Sequence, residues 1–366
     1  MSLKCGIVGL PNVGKSSLFN ALSSAGAEAE NFPFCTIDPN VGIVPVPDHR
    51  LNDLATLVRP KKVTPTTIEF VDIAGLVKGA SEGKGKGNAF LSHIREVDLI
   101  IHVVRCFQDD DVIHVEGDID PIRDIGIIES ELLFKDLETL ERREERVKKM
   151  AKSGDKAIQN QLYSLVQLRE HIEKGNPVRS FSAWDPDHPA FQELFFLTAK
   201  KVLYMCNIDE QDLPAGEGNP HVMNVREHAE KEGAETVVVC AKIESEIAEL
   251  DEEEKRDFLS SLGLEKSGLD RLISAAYREL GLITYFTAGP KEVRAWTVSQ
   301  GTKAPAAAGV IHTDFEKGFI RAETISYDDY MTAGSETAAR ESGKMRSEGR
   351  GYTVRDGDVI LFRFNV

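Results

Sequence analysis

The chain has 366 residues, 41% hydrophobic and 28% charged, which fits a globular protein of two or three domains and excludes a fibrous or disordered one. A formal net charge of −16 argues against indiscriminate nucleic-acid binding but leaves room for a local basic patch. No run approaches the roughly 18 apolar residues of a membrane span, and the first residues lead straight into a strand pattern, so neither membrane insertion nor a signal peptide is expected. Five cysteines at wide spacing (5, 35, 106, 206 and 240) read as reduced thiols of a cytoplasmic protein, not as a disulfide or zinc framework.

In chain order, an apolar run over residues 5–8 leads into Gly9-Leu10-Pro11-Asn12-Val13-Gly14-Lys15-Ser16, followed by Leu18, Phe19 and Leu22 at helical spacing. This is G-x-x-x-x-G-K-S in the strand–loop–helix setting that the motif requires. Glycine lets the backbone approach phosphate oxygens where a Cβ would collide. Successive N–H groups of the loop and first helical turn, Val13 to Ser17, form a cradle for anions. Lys15 supplies a point charge for the β- and γ-phosphates, and the Ser16 hydroxyl is a natural Mg²⁺ ligand. A nucleoside triphosphate is the expected ligand. Asn12 is open to two readings, a K⁺ ligand that assists transition-state charge or a plain turn-former.

Residues 31–39, bracketed by prolines, read as a loop carrying Thr36. Residues 41–46 and 67–71 read as strands, and between them Asp48 caps a short helix with Leu51, Leu54 and Leu57 on one face. Asp72-Ile73-Ala74-Gly75 comes directly off the second strand. At this chain order Thr36 can complete the Mg²⁺ shell, Asp72 can hold the metal through water, and the Gly75 N–H can meet the γ-phosphate. Hydrolysis would release both loops, so the set reads as a nucleotide switch. Residues 98–104 form a continuous apolar run, as in the interior of a parallel sheet.

From about residue 129, Leu133, Leu137, Leu140 and Val147, then Ile158, Leu162, Leu165 and Ile172 across Ser153-Gly154, predict an antiparallel helical hairpin of coiled-coil type. Residues 131–182 hold 11 Lys/Arg against 9 Asp/Glu inside an acidic chain, and Arg142, Arg143, Arg146, Lys148, Lys149, Lys152 and Lys156 crowd near the tip. That tip is either a solvated face or a partner-binding surface. A linker with Pro177, Pro186 and Pro189 returns to strands at 201–206 and 236–240, with a helix over 221–232 between them. The fold class is therefore α/β, a P-loop domain with a mostly parallel sheet interrupted by the hairpin. Beyond about residue 282 come short β-like runs at 295–298, 308–312, 319–325 and 359–364, in a segment whose 11 basic and 11 acidic residues over 283–366 make it neutral. The expected domains are 1–128 with 195–281, an insert at 129–194, and 282–366.

Residues 9–16, 31–40, 72–88 and the terminal Gly-Asp-Val-Ile-Leu-Phe-Arg-Phe-Asn-Val together resemble the YchF-type Obg-like ATPases over essentially the whole chain. The resemblance implies a C-terminal β-grasp TGS domain. It also implies a cytosolic, ribosome-associated nucleotidase that needs Mg²⁺, hydrolyses ATP with GTP as the weaker ligand, and is taken here as a monomer. Two departures from an ordinary GTPase are chemical. Leu76 stands where many GTPases place a water-orienting glutamine. The guanine-reading Asn-Lys-x-Asp is replaced by Asn207-Ile208-Asp209-Glu210, so the aspartate that accepts from guanine N1–H and its amine is absent, unless Asp209 reads guanine from one place early. Cys240-Ala241-Lys242 falls at the last base-cradling loop. The loop 107–114 leaves the carboxyl end of a strand, where α/β sheets bind ligands, and His114 is its one imidazole. Its place matches the family's proposed catalytic histidine, so His114 is expected on a movable loop as the water-orienting group, with Lys15 stabilising charge. The competing reading is a nucleotide-gated adaptor on the ribosome or another RNA assembly, preferring GTP, whose turnover is incidental.

Overall fold

The computed structural model describes residues 3–26, 40–73, 86–109 and 111–365. Its elements run β1 (Lys4–Val8), α1 (Lys15–Gly26), β2 (Val41–Pro45), α2 (His49–Val58), β3 (Val63–Thr64), β4 (Thr67–Asp72), α3 (Lys86–Glu96) and β5 (Leu99–Arg105). Then come α4 (Pro121–Met150), α5 (Lys156–Glu173), β6 (Lys201–Asn207), α6 (Pro220–Glu232), β7 (Glu235–Val239), α7 (Ala241–Ile247), α8 (Glu252–Ser261) and α9 (Gly268–Glu279). The last part holds β8 (Leu282–Ala288), β9 (Val293–Ser299), α10 (Ala304–Ile311), α11 (Thr313–Lys317), β10 (Phe319–Ser326), α12 (Tyr327–Ala333), α13 (Glu336–Glu341), β11 (Arg346–Glu348) and β12 (Asp358–Phe364). Two compact units result, residues 1–43 with 69–276, and 44–68 with 277–366.

In the first unit six strands lie in the order β2-β4-β1-β5-β6-β7. The pairs β1–β4, β1–β5, β5–β6 and β6–β7 are all parallel. All seven β5 residues are buried, because helices cover both faces of a parallel sheet and no position can be left polar-out. The expected α/β class holds. The carboxyl ends of β1, β5, β6 and β7 therefore open on one edge of the sheet, and the loops that follow them build the site.

The hairpin begins earlier than its leucine spacing suggests. α4 starts at Pro121, not near 129, because Asp120 caps it by accepting from the Ile122 and Arg123 N–H groups and Pro121 occupies the first turn. At 30 residues it is about 45 Å long. Gly154, at φ 80°, closes the turn, and Asp155 caps α5. Leu133, Leu140 and Val147 meet Leu165 and Ile172 in one core, as the spacing predicts, with Leu137, Ile158 and Leu162 partly buried against it and Leu168 added to it. The proline-containing return is not a bare linker. Val178, Ala190, Phe191 and Phe196 join that same core, and buried Asp136 accepts from the Leu197 and Thr198 N–H groups, tying α4 to the returning chain.

The second unit is a mixed six-stranded sheet, β11-β10-β12-β8-β9-β3, in which β12 runs parallel to β8 and β10 antiparallel to both its neighbours. Ala304, Ala307 and Ala308 of α10 pack on one face with Tyr285, Ile360 and Phe362. On the other, Leu51 and Leu54 of α2 and Tyr330 of α12 pack with Phe286, Ile325 and Val359. Two expectations change here. Residues 308–312 are not a strand but the end of α10, an alanine-rich helix with Pro305 in its first turn. Residues 44–68, expected within the P-loop domain, belong to this unit: α2 contributes to its core, and β3 pairs with β9.

Candidate nucleotide site

At the carboxyl edge of the first sheet, the turn after β1 adopts a shape only particular residues allow. Asn12 sits at φ 62°, a left-handed conformation that asparagine tolerates, and Gly14 sits at φ 99°. A Cβ on Gly14 would lie 2.2 Å from Asn207 Nδ2, so this glycine is demanded by packing as well as by φ. α1 then starts at Lys15, presenting its free N–H groups to an open cavity of about 910 Å³.

Four loop sets line that cavity: Asn12 with residues 14–17, Phe107 to Asp109 with Val112, residues 207–209, and residues 240–242 with Ser245 and Glu246. The structure thus brings together Asn12, Gly14, Lys15, Ser16, Ser17, Asn207 and Ile208. Val13 is instead buried in the core, and only its backbone takes part. Asp72 closes β4 opposite Ile7 of β1 and does not line the cavity. Thr36, Gly75 and Leu76 lie outside the described residues. Ser245 and Glu246 escape a motif reading because they come from the body of α7. Their signal is positional: Ser245 stands four residues after Ala241 and Glu246 four after Lys242, one helical turn on.

Lys15 is buried, and its ammonium donates to the Leu10 carbonyl at 2.6 Å. Burial lowers its pKa to about 8, with the Asp72 carboxylate opposing the drop. Burial likewise raises Asp72, and Lys15 opposes that rise. The two are electrostatically coupled at the place where a phosphate and its metal would arrive. Exposed Ser16 and carboxylate Asp72 are hard oxygen donors, which suit Mg²⁺ and not a thiophilic metal.

Asn207 is spent on structure. Its amide donates to the Val13 carbonyl at 3.0 Å and accepts from the Ala241 N–H at 3.0 Å, fastening the phosphate loop to the loop after β7. Asp209 uses one carboxylate oxygen to cap the Glu210 N–H, at 2.6 Å. Glu210 itself is exposed, opens a short 3₁₀ turn and is not among the cavity-lining residues, contrary to its expected place at the base.

The loop carrying His114 departs furthest from expectation. His114 is buried, not a surface loop residue, and is absent from the cavity lining. Its Nε2–H donates to Asp124 Oδ2 at 2.9 Å, while Nδ1 accepts the Glu116 N–H at 3.1 Å. The same loop is pinned at its other end. Buried Arg105 donates to the carbonyls of Phe107, Asp109 and Val112, and Asn12 Nδ2 donates to the Ile113 carbonyl at 3.0 Å. One further cluster, Glu129, His228 and Glu232, has ligand-like spacing. The Arg179 guanidinium already bonds both carboxylates there, so the place is taken by a cation.

Comparison with known proteins accounts for the whole chain. Residues 4–152 match the family model described as a 50S ribosome-binding GTPase. Residues 282–365 match one named YchF-GTPase_C and described as a protein of unknown function (DUF933). Ribosome-binding ATPase YchF of Bacillus subtilis (strain 168) is 57% identical over 366 residues, with 100% of each chain covered. Obg-like ATPase 1 of Pongo abelii is 46% identical over 369 residues, covering 100% of this chain and 93% of that one. The solved Schizosaccharomyces pombe YchF GTPase superposes with a TM-score of 0.89 at 39% identity, over 99% of this chain and 98% of that one. With full-length identity above half, this chain belongs to the YchF family.

Proposed function

We propose that this chain is a cytoplasmic, Mg²⁺-dependent nucleotidase that binds and hydrolyses ATP in preference to GTP and associates with the ribosome. The carrying observation is the cavity in which a P-loop meets a base-side loop that has no Asn-Lys-x-Asp aspartate in place. Glu210 stands outside it, and Asp209, at its wall, spends one carboxylate oxygen on capping the Glu210 N–H. Lys15 and the α1 N-terminus bind the phosphates, Asn207 fixes the loops around them, and Ser16, Thr36 and Asp72 are the residues that would hold Mg²⁺. The metal supplies charge neutralisation on the phosphates. His114 is the water-orienting group, once its ring leaves the buried position. Asn12, at the cavity wall, is the residue that would meet a K⁺ ion.

Calorimetric titration with each triphosphate tests the base preference. ATP is expected to bind more tightly, and a tenfold preference for GTP, about 1.4 kcal/mol, would overturn it.

Ribosome association rests on the hairpin tip and on the names of the relatives. Arg146, Lys148, Lys149, Lys152 and Lys156 are exposed, while Arg142 reaches Glu138 at 3.4 Å and is still 70% exposed. Such a face can neutralise phosphates at little desolvation cost. Reversing Arg142, Arg143, Lys148 and Lys149 to glutamate will weaken ribosome binding and flatten its salt dependence. Unchanged binding at two salt concentrations would move the contact to the C-terminal unit, which resembles a TGS module.

A further inference from the structure

We propose that Asp124 is a positioning residue that holds His114 out of the nucleotide cavity, so that turnover requires their contact to break. The proposal rests on the reading of His114 as the water-orienting group, and it explains why that group is where it is. The contact is built, not incidental: the two side chains are 2% and 4% exposed and meet at 2.9 Å. Asp124 is itself fixed in the first turn of α4, where Oδ1 accepts from Arg123 Nε and Nη2 at 3.2 and 3.1 Å, and Arg123 is braced in turn by Asp118. Both imidazole nitrogens are engaged, so the ring in this position has no lone pair left for water.

The neighbouring residues give the loop a physical reason to rearrange. Ile113 is 79% exposed and Val115 is 54% exposed, while the polar ring between them is buried. That is the inverse of ordinary hydropathy, and reversing it would put His114 outward and both aliphatic chains inward. The path from nucleotide to contact is short. Asn12 of the phosphate loop holds the Ile113 carbonyl, one residue from His114, so a ligand drawing on Asn12 loosens the loop beside the ring.

Asp124→Ala separates the possibilities, because it removes the carboxylate that accepts from His114 Nε2–H, while Arg123 keeps its bonds to Asp118. The full-length variant is expected to turn over saturating Mg²⁺–ATP at least about threefold faster, with KM within a factor of about two, and to lose that gain when combined with His114→Ala. Slower turnover would mean that Asp124 serves the active imidazole, and unchanged turnover that it holds nothing back; either overturns the proposal. In the wild-type protein, NMR of imidazole-¹⁵N-labelled histidine provides a readout independent of rate. The His114 Nε2–H is expected to be protected from solvent exchange without nucleotide and to lose protection with a non-hydrolysable ATP analogue and Mg²⁺. Protection that survives the analogue sinks the holding role, whatever the kinetics. If protection is lost but His114→Ala leaves hydrolysis intact, the release of the contact by nucleotide stands, while the catalytic reading of His114 and the gating of turnover built on it fail.

Discussion

Replacing Lys15 with alanine will abolish measurable triphosphate binding and leave the fold intact. Among the described residues the ammonium hydrogen-bonds the Leu10 carbonyl and faces the charge of Asp72, and it is no part of the apolar core around β1. Against bound phosphates it makes charge-assisted bonds worth about 1.5–3 kcal/mol each. Losing two of them lowers affinity by on the order of a hundred- to ten-thousand-fold. An unchanged melting temperature with no calorimetric heat on adding ATP is the expected pair of results, and intact ATP affinity would show the loop misread. The lowered pKa adds a pH signature. Phosphate favours charged Lys15, so binding takes up a proton where the free protein has lost it, and wild-type affinity falls as pH rises above about 8. Linkage gives the opposite sign for the unliganded fold. Between about 8 and the ordinary lysine value of 10.5 the unfolded chain holds more protons at this residue, so its contribution to stability rises with pH. Calorimetry at pH 9 in two buffers of different ionisation enthalpy measures the uptake directly.

His114→Ala will slow single-turnover hydrolysis at saturating ATP by at least about tenfold and leave ATP affinity within a factor of about three. A positioned water-orienting or basic group is typically worth roughly 10²–10⁴ in rate, and some of that is recoverable from a cation at Asn12. The ring lies outside the cavity lining, so its loss removes no contact that holds the nucleotide. Truncation would ordinarily strand a buried carboxylate, a costly event. Here Arg123 still bonds Asp124 through two nitrogens, so the fold tolerates the change and the rate reports chemistry. A wild-type rate would pass the role to Asn12 and a bound K⁺.

What could be read from the sequence was what short-range pattern encodes. The apolar runs gave β1, β5, β6 and β7, and the heptad-like leucines gave the hairpin core, because a strand covered on both faces is apolar throughout and a helical seam repeats every three to four residues. The phosphate loop was legible because its glycine and lysine are required by backbone geometry and charge. The start of α4 carried its own signal, Asp120-Pro121, which the leucine spacing overshadowed. By contrast, no periodicity links His114 to Asp124, or Asn207 to Val13 some 194 positions away. The assignment of residues 44–68 to the second unit was illegible for the same reason: the partners of α2 are strands more than 200 residues further on.

The anchoring of the His114 loop by Arg105 determines how that loop can move. Arg105 is among the largest fully buried side chains, and its guanidinium bonds are spent on three carbonyls of the segment it secures. Drawing the segment away without replacement strands a cation in the interior, so partial fraying is penalised at every stage. An uncompensated loss of even about 3 kcal/mol leaves on the order of one molecule in 150 displaced. The loop therefore behaves as an exchange of acceptors, not as a hinge that swings by degrees. It is either seated on Arg105 or replaced there by equally good oxygens, so positions between the two are scarcely populated.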